Sequence, residues 1–288
     1  MRTIQIEPTI ANELILASET YDFISWDSDW EYQYLDRAID SDKVLCLKKE
    51  INETINSYGY LVIDFRQCNI THNILFPKLS TYICSLVGTP IKVFTNKPHW
   101  REINVLLDKH PNRSEGIGES KMHIDFVNAS LPPDYICLFC NRIDSLGGGS
   151  TLLFDTYKID DLLSNSTIQV LKKKIFTDGL FHNLSNIGHD ISPFSIYNPE
   201  CEWIYRITEN LLNNLYDKKT FEALNELFYY LKSREKKLLL EKNQMIIIDQ
   251  HRMLHGKTAL GVGQDKIPFS SRRQLMQSFI RKSQYGRN

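Results

Sequence analysis

The sequence predicts a mainly β fold with flanking helices, built as an antiparallel sandwich or barrel. Short apolar runs alternate with polar or glycine-rich turns, which is typical of these architectures. The first set of runs comprises IKVF (91–94), INVLL (103–107), KMHIDF (121–126), DYICLFC (134–140) and STLLFD (150–155). A second set, after a helical segment, comprises KKLLL (236–240), QMIIID (244–249) and QLMQSFIR (274–281). The two sets need each other to close a sheet.

Helical spacing dominates the front of the chain. Apolar side chains at mixed three- and four-residue spacing follow the candidate N-cap Ser41 and predict an amphipathic helix over 41–58, which Gly59 ends. A β-branched and aromatic run over 60–66 predicts a strand, because such residues favour extended backbone. A second helical pattern over 73–86 stops at a Gly-Thr-Pro sequence.

Helical spacing returns over 156–176 and about 209–235, and EWIYRI (202–207) between them predicts a strand. No segment has the composition of a linker, so we predict one domain over 1–288. Its parts are a mixed helix and strand region over about 1–90, a strand-rich core over about 90–281 and a helical insert over about 156–235.

The composition excludes several classes of protein. With 42% hydrophobic and 24% charged residues and no long Pro, Gly or Ser tract, the chain is globular rather than disordered or fibrous. A net charge of -1 predicts neither a nucleic acid nor an anionic membrane as partner. Charges interrupt each apolar run before it reaches the ~20 residues of a membrane helix. Because no secretory signal is visible, a cytoplasmic location and reduced thiols are expected.

A CxxC sequence, Cys137 and Cys140, raises the question of a zinc or redox site. It lies in a predicted buried strand, and the chain has no second CxxC or CxxH pair to complete a zinc site. These observations favour a structural role for both cysteines.

His123 and Asp125 are the first candidates for chemistry. In a strand, residues two apart share a face, so the imidazole and the carboxylate would converge. A third ligand can come from His251 or His255, which follow the apolar run QMIIID. Two histidines and one carboxylate on one side of an iron ion leave its other side open for a co-substrate and dioxygen.

Two alternatives stand beside this interpretation. His251 and His255 could form an i, i+4 zinc pair on a helix, but HRMLH lacks the glutamate of HExxH and follows a strand. The other alternative is that each histidine is an ordinary packed or solvated side chain.

A cationic anchor is predicted at the start of the last strand, where Arg272 and Arg273 follow two serines. A guanidinium binds a carboxylate through two parallel hydrogen bonds. Strand alternation places Arg273 and Gln277 on one face and Arg272 on the other, and Arg272 is the better candidate for a solvated arginine. The triple glycine before Thr151 leads into a strand and has no following lysine, which argues against a phosphate loop. Thr151 can still offer its hydroxyl to an anion.

The sequence resembles the Fe(II)/2-oxoglutarate dioxygenases of the taurine dioxygenase and clavaminate synthase-like group. The resemblance rests on four features in the same order, namely the HxD pair, the GGGST turn, DQHRMLHGK and the final strand that begins with arginine. The resemblance covers roughly residues 40–281. It implies a double-stranded β-helix, a distorted jelly roll, with helices outside and an insert over the mouth. It also implies an enzyme that uses Fe(II), 2-oxoglutarate and O2 and releases succinate and CO2.

The resemblance assigns roles to individual residues. The implied iron ligands are His123, Asp125 and His255, and the implied 2-oxoglutarate contacts are Arg273 and Thr151. His251 is then a neighbour of the metal site. Related halogenases vacate the carboxylate position that Asp125 fills here, so hydroxylation, desaturation or ring closure is expected.

Two positions depart from the family pattern. Lys257 stands where the family often has arginine, and Gln277 stands where several members carry a second arginine that binds a substrate acid group. Arg206 is a candidate substitute for that second arginine, with Trp203 and Tyr205 as apolar wall candidates. The alternative for these three is an ordinary core or surface position.

The expected substrate is a small, amino-acid-derived compound of specialised metabolism, while the sequence does not indicate an oligomeric state. Two alternatives remain open at this point. One is an oxygenase that acts on a peptide or protein side chain, and the other is a barrel that binds metal or ligand without turnover.

Overall fold

The computed structural model describes residues 2–18, 41–68, 75–157, 159–178, 187, 193–201 and 204–282. Within these ranges eleven strands form two sheets. Numbered along the chain, the strands are β1 (Thr3–Gln5), β2 (Tyr60–Asp64), β3 (Thr89–Ile91), β4 (Arg101–Asn104), β5 (Ser120–His123), β6 (Tyr135–Arg142), β7 (Thr151–Asp155), β8 (Lys236–Leu238), β9 (Gln244–Asp249), β10 (Met253–Lys257) and β11 (Gln274–Arg281).

The larger sheet runs in the order β1-β2-β9-β6-β11-β3, and β4 also pairs with β11. All its pairs are antiparallel except β1 with β2. The smaller sheet is antiparallel throughout and has the order β5-β10-β7-β8. Side chains of β6 and β9 pack with those of β7, β8 and β10 in one buried cluster, so the two sheets face each other. This architecture confirms the predicted mainly β jelly roll.

The helices of the described residues are α1 (Pro8–Ser18), α2 (Asp42–Tyr58), α3 (Leu75–Val87), α4 (Asn165–Leu171) and α5 (Lys218–Ser233). The predicted helix over 41–58 is confirmed with both of its ends. The hydroxyl of Ser41 accepts a hydrogen bond from the backbone N–H of Val44, and Gly59 adopts the left-handed conformation, with φ of 72°.

Two further clusters cover the outer faces of the sheets. The first three helices bury their apolar sides against the larger sheet, around Phe65, Phe139 and Met276. The insert helices α4 and α5 pack against the smaller sheet, where Phe154 and Leu254 meet Leu227. In the part of the chain that the structure describes, no helix is long and apolar enough to cross a membrane.

All six cysteines are free thiols. Cys137 lies in the cluster beneath the N-terminal helices, whereas Cys140 lies in the cluster between the sheets. The two thiols of the CxxC therefore project from opposite faces of β6, and they cannot share a metal ion.

Several predicted elements differ from the structure. The expected strand over 202–207 is wrong for its described part, 204–207, where only an isolated bridge joins Tyr205 to Tyr197. Tyr205 is buried in the cluster that contains the insert helices. The helical pattern over 156–176 gives only one short 3-10 turn and α4. Three elements were not predicted, namely β1, α1 and β10.

Candidate active site

Three of the predicted ligands meet at one end of the smaller sheet. The side chains of His123, Asp125 and His255 each offer a ligand atom, and these atoms all lie within 4.8 Å of one another. Nε2 of His123 is 3.5 Å from Oδ1 of Asp125, and Nε2 of His255 is 3.9 Å from Oδ2 of the same carboxylate. The two imidazole rings are 4.5 Å apart between centroids.

Strand pairing explains why the histidines meet, although they are far apart in the sequence. His123 ends β5 and is the register partner of His255 in β10. The strand argument for Asp125 is wrong, because β5 stops at His123 and Asp125 lies in the turn that follows. That turn contains Phe126 with φ of 62°, a left-handed conformation that non-glycine residues rarely adopt. The turn, not strand alternation, carries the carboxylate to the histidines.

A buried amide holds this turn in place. The backbone N–H of Asp125 donates to Oε1 of Gln250 at 2.7 Å, and Nε2 of Gln250 donates to the carbonyl of Pro133 at 2.9 Å. Gln250 is only 1% exposed. The carboxylate itself accepts a hydrogen bond from Nε2 of Gln277 at 3.2 Å. Sequence reasoning missed the role of Gln250, since nothing in the sequence distinguishes a bridging glutamine from an ordinary core polar residue.

Hydrogen bonding also orients the histidines. Nδ1 of His123 lies 2.8 Å from the carbonyl of Lys121, so this nitrogen carries the proton and Nε2 is free to bind a metal ion. His251 instead bonds through Nε2 to Asp134 at 2.5 Å. Its position beside the site, rather than in it, agrees with the role that the resemblance implies, and it leaves no i, i+4 zinc pair with His255.

The electrostatics favour the metal-binding forms of two ligands. Burial tends to raise the pKa of Asp125, but His123, His255 and Arg101 together hold it below its ordinary value. Burial and the nearby charge of His123 lower the pKa of His255 to about 3. His123 is different, because burial lowers its pKa but hydrogen bonds and nearby negative charges, chiefly those of Asp125, together raise it.

The donor set fits ferrous iron. Two imidazole nitrogens and one carboxylate form the facial arrangement of non-haem Fe(II) oxygenases. In the described residues, Nδ1 of His255 is buried without a hydrogen-bond partner. No other group of histidine, cysteine or acidic side chains in the described ranges has comparable ligand spacing.

A narrow cavity of about 70 Å³ adjoins the triad. Besides the three ligands, its polar lining residues include Thr151, Lys257, Arg273 and Gln277. Arg273 and Leu275 line it together with Gln277, which is the shared face that strand alternation predicted. Arg272 lies elsewhere and is half-buried rather than solvated, because its guanidinium donates to the carbonyls of Ile267 and Val105.

The triple glycine makes room for the buried guanidinium of Arg273, which donates through Nη2 to the carbonyl of Gly149 at 3.3 Å. Gly149 has φ of +72°, and a Cβ there would lie 2.8 Å from Nε of Arg273. The carboxylate of Asp144 fixes the turn by accepting hydrogen bonds from the N–H groups of Gly148 (3.1 Å) and Gly261 (2.7 Å). The turn therefore supports the guanidinium, and it has no features of a phosphate loop.

Lys257 is a second cation in this cavity, and sequence analysis gave it no role beyond its departure from the family pattern. It lies two residues after His255 in β10, opposite Thr151 of β7. Nζ donates to the carbonyl of Gly116 at 2.9 Å and to that of Gly118. Burial and the positive charge of Arg273 lower its pKa to about 8.

A wider cleft of about 440 Å³ is also lined by His123 and Asp125. Its lining is largely polar and includes Asn112, Arg113, Lys121, Asp178, Glu209 and Asn210. Asp178 accepts a hydrogen bond from Nδ2 of Asn210 at 3.2 Å, and burial raises its pKa. His123 and Asp125 thus line both a small cationic cavity and a larger polar cleft.

Arg206, the candidate substitute for a second arginine, and Tyr205, a candidate apolar wall, are not among the residues that line these two spaces. Nη1 of Arg206 donates to the carbonyls of Val127 and Ala129, so Arg206 supports the turn after Asp125. Tyr205 is buried and stacks on Tyr197, with the ring centroids 4.9 Å apart. Trp203 lies outside the described residues. Among the substrate candidates that fall within the described residues, Gln277 is the one that bonds to the triad.

The chain resembles known proteins both in sequence pattern and in fold. The family model described as "Taurine catabolism dioxygenase TauD, TfdA family" matches residues 31–277. An asparagine oxygenase in complex with Fe(II), 2S,3S-3-hydroxyasparagine and succinate superimposes with a TM-score of 0.78 and 15% identity, covering 98% of this chain and 94% of that chain. The non-heme iron oxygenase OrfP in complex with Fe, succinate and (3S)-hydroxy-L-Arg superimposes with a TM-score of 0.69 and 14% identity, covering 98% of this chain and 95% of that chain.

OrfP in complex with Fe and alpha-ketoglutaric acid gives a TM-score of 0.67 at 13% identity, covering 98% of this chain and 94% of that chain. At such identities the likeness shows a shared fold. No curated protein matches the sequence.

Proposed function

Since this chain belongs to the taurine catabolism dioxygenase TauD, TfdA family, we propose that it is an Fe(II)- and 2-oxoglutarate-dependent dioxygenase that oxidises an unactivated C–H bond of a small, amino-acid-derived metabolite. The observation that carries the proposal is the convergence of His123, Asp125 and His255 within 4.8 Å beside a buried cationic cavity. In the proposed reaction, bound Fe(II) supplies oxidative decarboxylation of 2-oxoglutarate to succinate and CO2, coupled to oxidation of the substrate by O2.

The residues of the chain bind and orient the reactants. His123, Asp125 and His255 would hold the metal ion from one side and leave its other side open. Arg273 and Thr151 would bind the remote carboxylate of 2-oxoglutarate, the guanidinium through charge-assisted hydrogen bonds. The apolar side chains that line the narrow cavity, Ile103, Ile136, Leu138 and Leu275, would exclude water from the reacting groups.

The wider cleft supports a polar, low-molecular-weight substrate. It borders His123 and Asp125 directly, and its acidic, basic and amide side chains can bind the charged groups of an amino acid. Similar folds hold 3-hydroxyasparagine in one oxygenase and hydroxy-L-Arg in another, which supports the same class of substrate here. We further propose a role in specialised metabolism and a cytoplasmic location, in keeping with six thiols that form no disulfide.

The carboxylate ligand bears on the type of reaction. Asp125 occupies the position that related halogenases leave open for a halide, and Gln277 and Gln250 hold its carboxylate and backbone in place. Hydroxylation, desaturation or ring closure is therefore the proposed outcome.

The first test is an anaerobic titration of the purified protein with Fe(II) and 2-oxoglutarate. A visible charge-transfer band is expected, followed by succinate when oxygen is admitted with a panel of amino acids and peptide-like metabolites. His255→Ala should abolish the band, because it removes one of three ligands. His251→Gln is the matched control and should retain the band, since His251 bonds to Asp134 outside the triad. A full band from His255→Ala would remove that residue from the metal site.

A further inference from the structure

Two buried cations line the narrow cavity, and no carboxylate of the described ranges is paired with either. Lys257 and Arg273 are each 7% exposed. In the described part of the chain, neither forms an ion pair, and their hydrogen bonds go to backbone carbonyls of Gly116, Gly118 and Gly149. Buried charges in proteins are normally paired, because removing a charge from water costs several kcal/mol. Two uncompensated cations in one cavity therefore indicate an anionic ligand.

The position of Lys257 along its strand matches one end of such a ligand. His255 and Lys257 are two residues apart in β10, so both side chains project from the same face of the strand. Two residues of a strand span about 7 Å, which is comparable to the length of a five-carbon dicarboxylate. Lys257 pairs with Thr151 across the sheet, so the ammonium and the hydroxyl belong to the same end of the cavity.

The hydrogen bonds of Lys257 leave capacity for a ligand. An ammonium group has three N–H donors, and two of them are used by the carbonyls of Gly116 and Gly118. Because Lys257 also lines the cavity, the third donor can reach an anion there. The two carbonyls fix Nζ in position before the ligand arrives, which lowers the entropy cost of using a long side chain for binding.

On the basis of the proposed function, we propose that Lys257 is a second cation for the distal carboxylate of 2-oxoglutarate, acting with Arg273. Two positive charges of the protein, rather than one, then favour 2-oxoglutarate over 2-oxo acids that have an uncharged tail. The ammonium adds a point charge to the fork of the guanidinium, so the two groups contact different oxygen lone pairs of one carboxylate.

The competing explanation is that Lys257 only pins the loop that contains Gly116 and Gly118. A loop defect would disturb the whole cavity and weaken every 2-oxo acid alike. A lost contact to the distal carboxylate would weaken only a ligand that carries this group. The two explanations therefore differ in ligand discrimination.

The test measures binding of 2-oxoglutarate and of 2-oxovalerate, which lacks the distal carboxylate, by anaerobic titration of the Fe(II) protein and by the thermal shift of the metal-free protein. Lys257→Met should weaken 2-oxoglutarate binding by at least about 10-fold and leave 2-oxovalerate within about 2-fold, as expected for the loss of a hydrogen bond to a charged group. Lys257→Arg should restore part of the preference for 2-oxoglutarate. Lys266→Met, which removes an exposed lysine between β10 and β11, is the matched control and should change neither affinity.

Equal weakening of both ligands by Lys257→Met, or no weakening of either, would overturn the role of Lys257. A wild-type protein that binds neither 2-oxo acid would instead overturn the proposed function on which this role rests.

Discussion

Gly149 offers a test of how the glycine turn supports the buried arginine. Gly147 and Gly149 both have positive φ, +81° and +72°, so alanine at either position meets backbone strain. The surroundings differ completely. A Cβ at Gly147 would meet nothing within 4 Å, whereas a Cβ at Gly149 would lie 2.8 Å from Nε of Arg273 and from Cδ2 of Leu260. The pair of variants therefore separates backbone strain from steric displacement of Arg273.

The magnitudes follow from these two terms. A left-handed conformation costs a non-glycine residue roughly 1–2 kcal/mol, so Gly147→Ala should lower the free energy of unfolding by about that amount. Gly149→Ala carries the same strain and must also move the buried side chains of Arg273 and Leu260. Overpacking of this kind adds typically 1–3 kcal/mol, for a total loss of about 2–5 kcal/mol. Since Arg273 has to shift, the affinity for 2-oxoglutarate should fall as well.

Urea unfolding of the two variants and of the wild type measures the first effect, and anaerobic titration with Fe(II) and 2-oxoglutarate measures the second. Gly147→Ala should keep the affinity of the wild type for 2-oxoglutarate. If Gly149→Ala were no less stable than Gly147→Ala and bound 2-oxoglutarate equally well, a Cβ at position 149 would not displace Arg273. The explanation for the glycine turn would then be wrong.

Two further predictions concern the supports of the site. Gln250→Leu should weaken Fe(II) binding by about 10–100-fold, because it leaves the backbone N–H of Asp125 unpaired and frees the ligand turn. Gln264→Leu is the control, because it removes another buried amide, one that bonds to Asp144. It should lower the free energy of unfolding by a similar amount with little effect on Fe(II) affinity. Equal metal affinity in both variants would contradict the role of Gln250. Asp144→Asn tests pH dependence. Burial tends to raise the pKa of Asp144, but bonds from backbone N–H groups and Gln264 hold it below its ordinary value. The ionised carboxylate therefore stabilises the folded protein fully above the unfolded pKa of about 3.9, and this stabilisation is lost as pH falls through the folded pKa. The variant should be less stable than the wild type by about 1–3 kcal/mol at pH 7, and the two stabilities should converge toward pH 3 in urea titrations; a constant difference across this range would refute the assignment.

The parts of the fold that could be predicted from the sequence are those that local pattern determines. The helix that Ser41 begins and Gly59 ends carries both of its capping signals in the sequence, and the last strand has the bounds of the predicted run QLMQSFIR. By contrast, no strand was predicted over MLHGK, which mixes apolar, cationic and glycine residues. All five are buried, since β10 lies between β5 and β7, and this burial is a tertiary property.

The candidate site was predicted in its members but not in its geometry. The triad followed from residue types and a family resemblance, while the placement of Asp125 on a strand was wrong. What places its carboxylate is a hydrogen bond between residues 125 positions apart in the chain, from Asp125 to Gln250. Arg206 was a candidate for the substrate site because Gln277 stands where several family members carry a second arginine. Its carbonyl partners become visible only when the turn after Asp125 is in place.

Gln277 shows how a departure from the family pattern can fit its surroundings. Its register partner across the sheet is Arg101 of β4, whose Nη1 donates to Oε1 of Gln277 at 3.4 Å. Nε2 of the same amide donates to Asp125, so Gln277 joins a cation to a metal ligand by using both of its polar atoms. An arginine at position 277 has no acceptor for Arg101 and would set two guanidinium groups side by side. Arg101 of β4 therefore supplies a positive charge near Asp125, and against the effect of burial it helps the two histidines to hold the pKa of the carboxylate below its ordinary value.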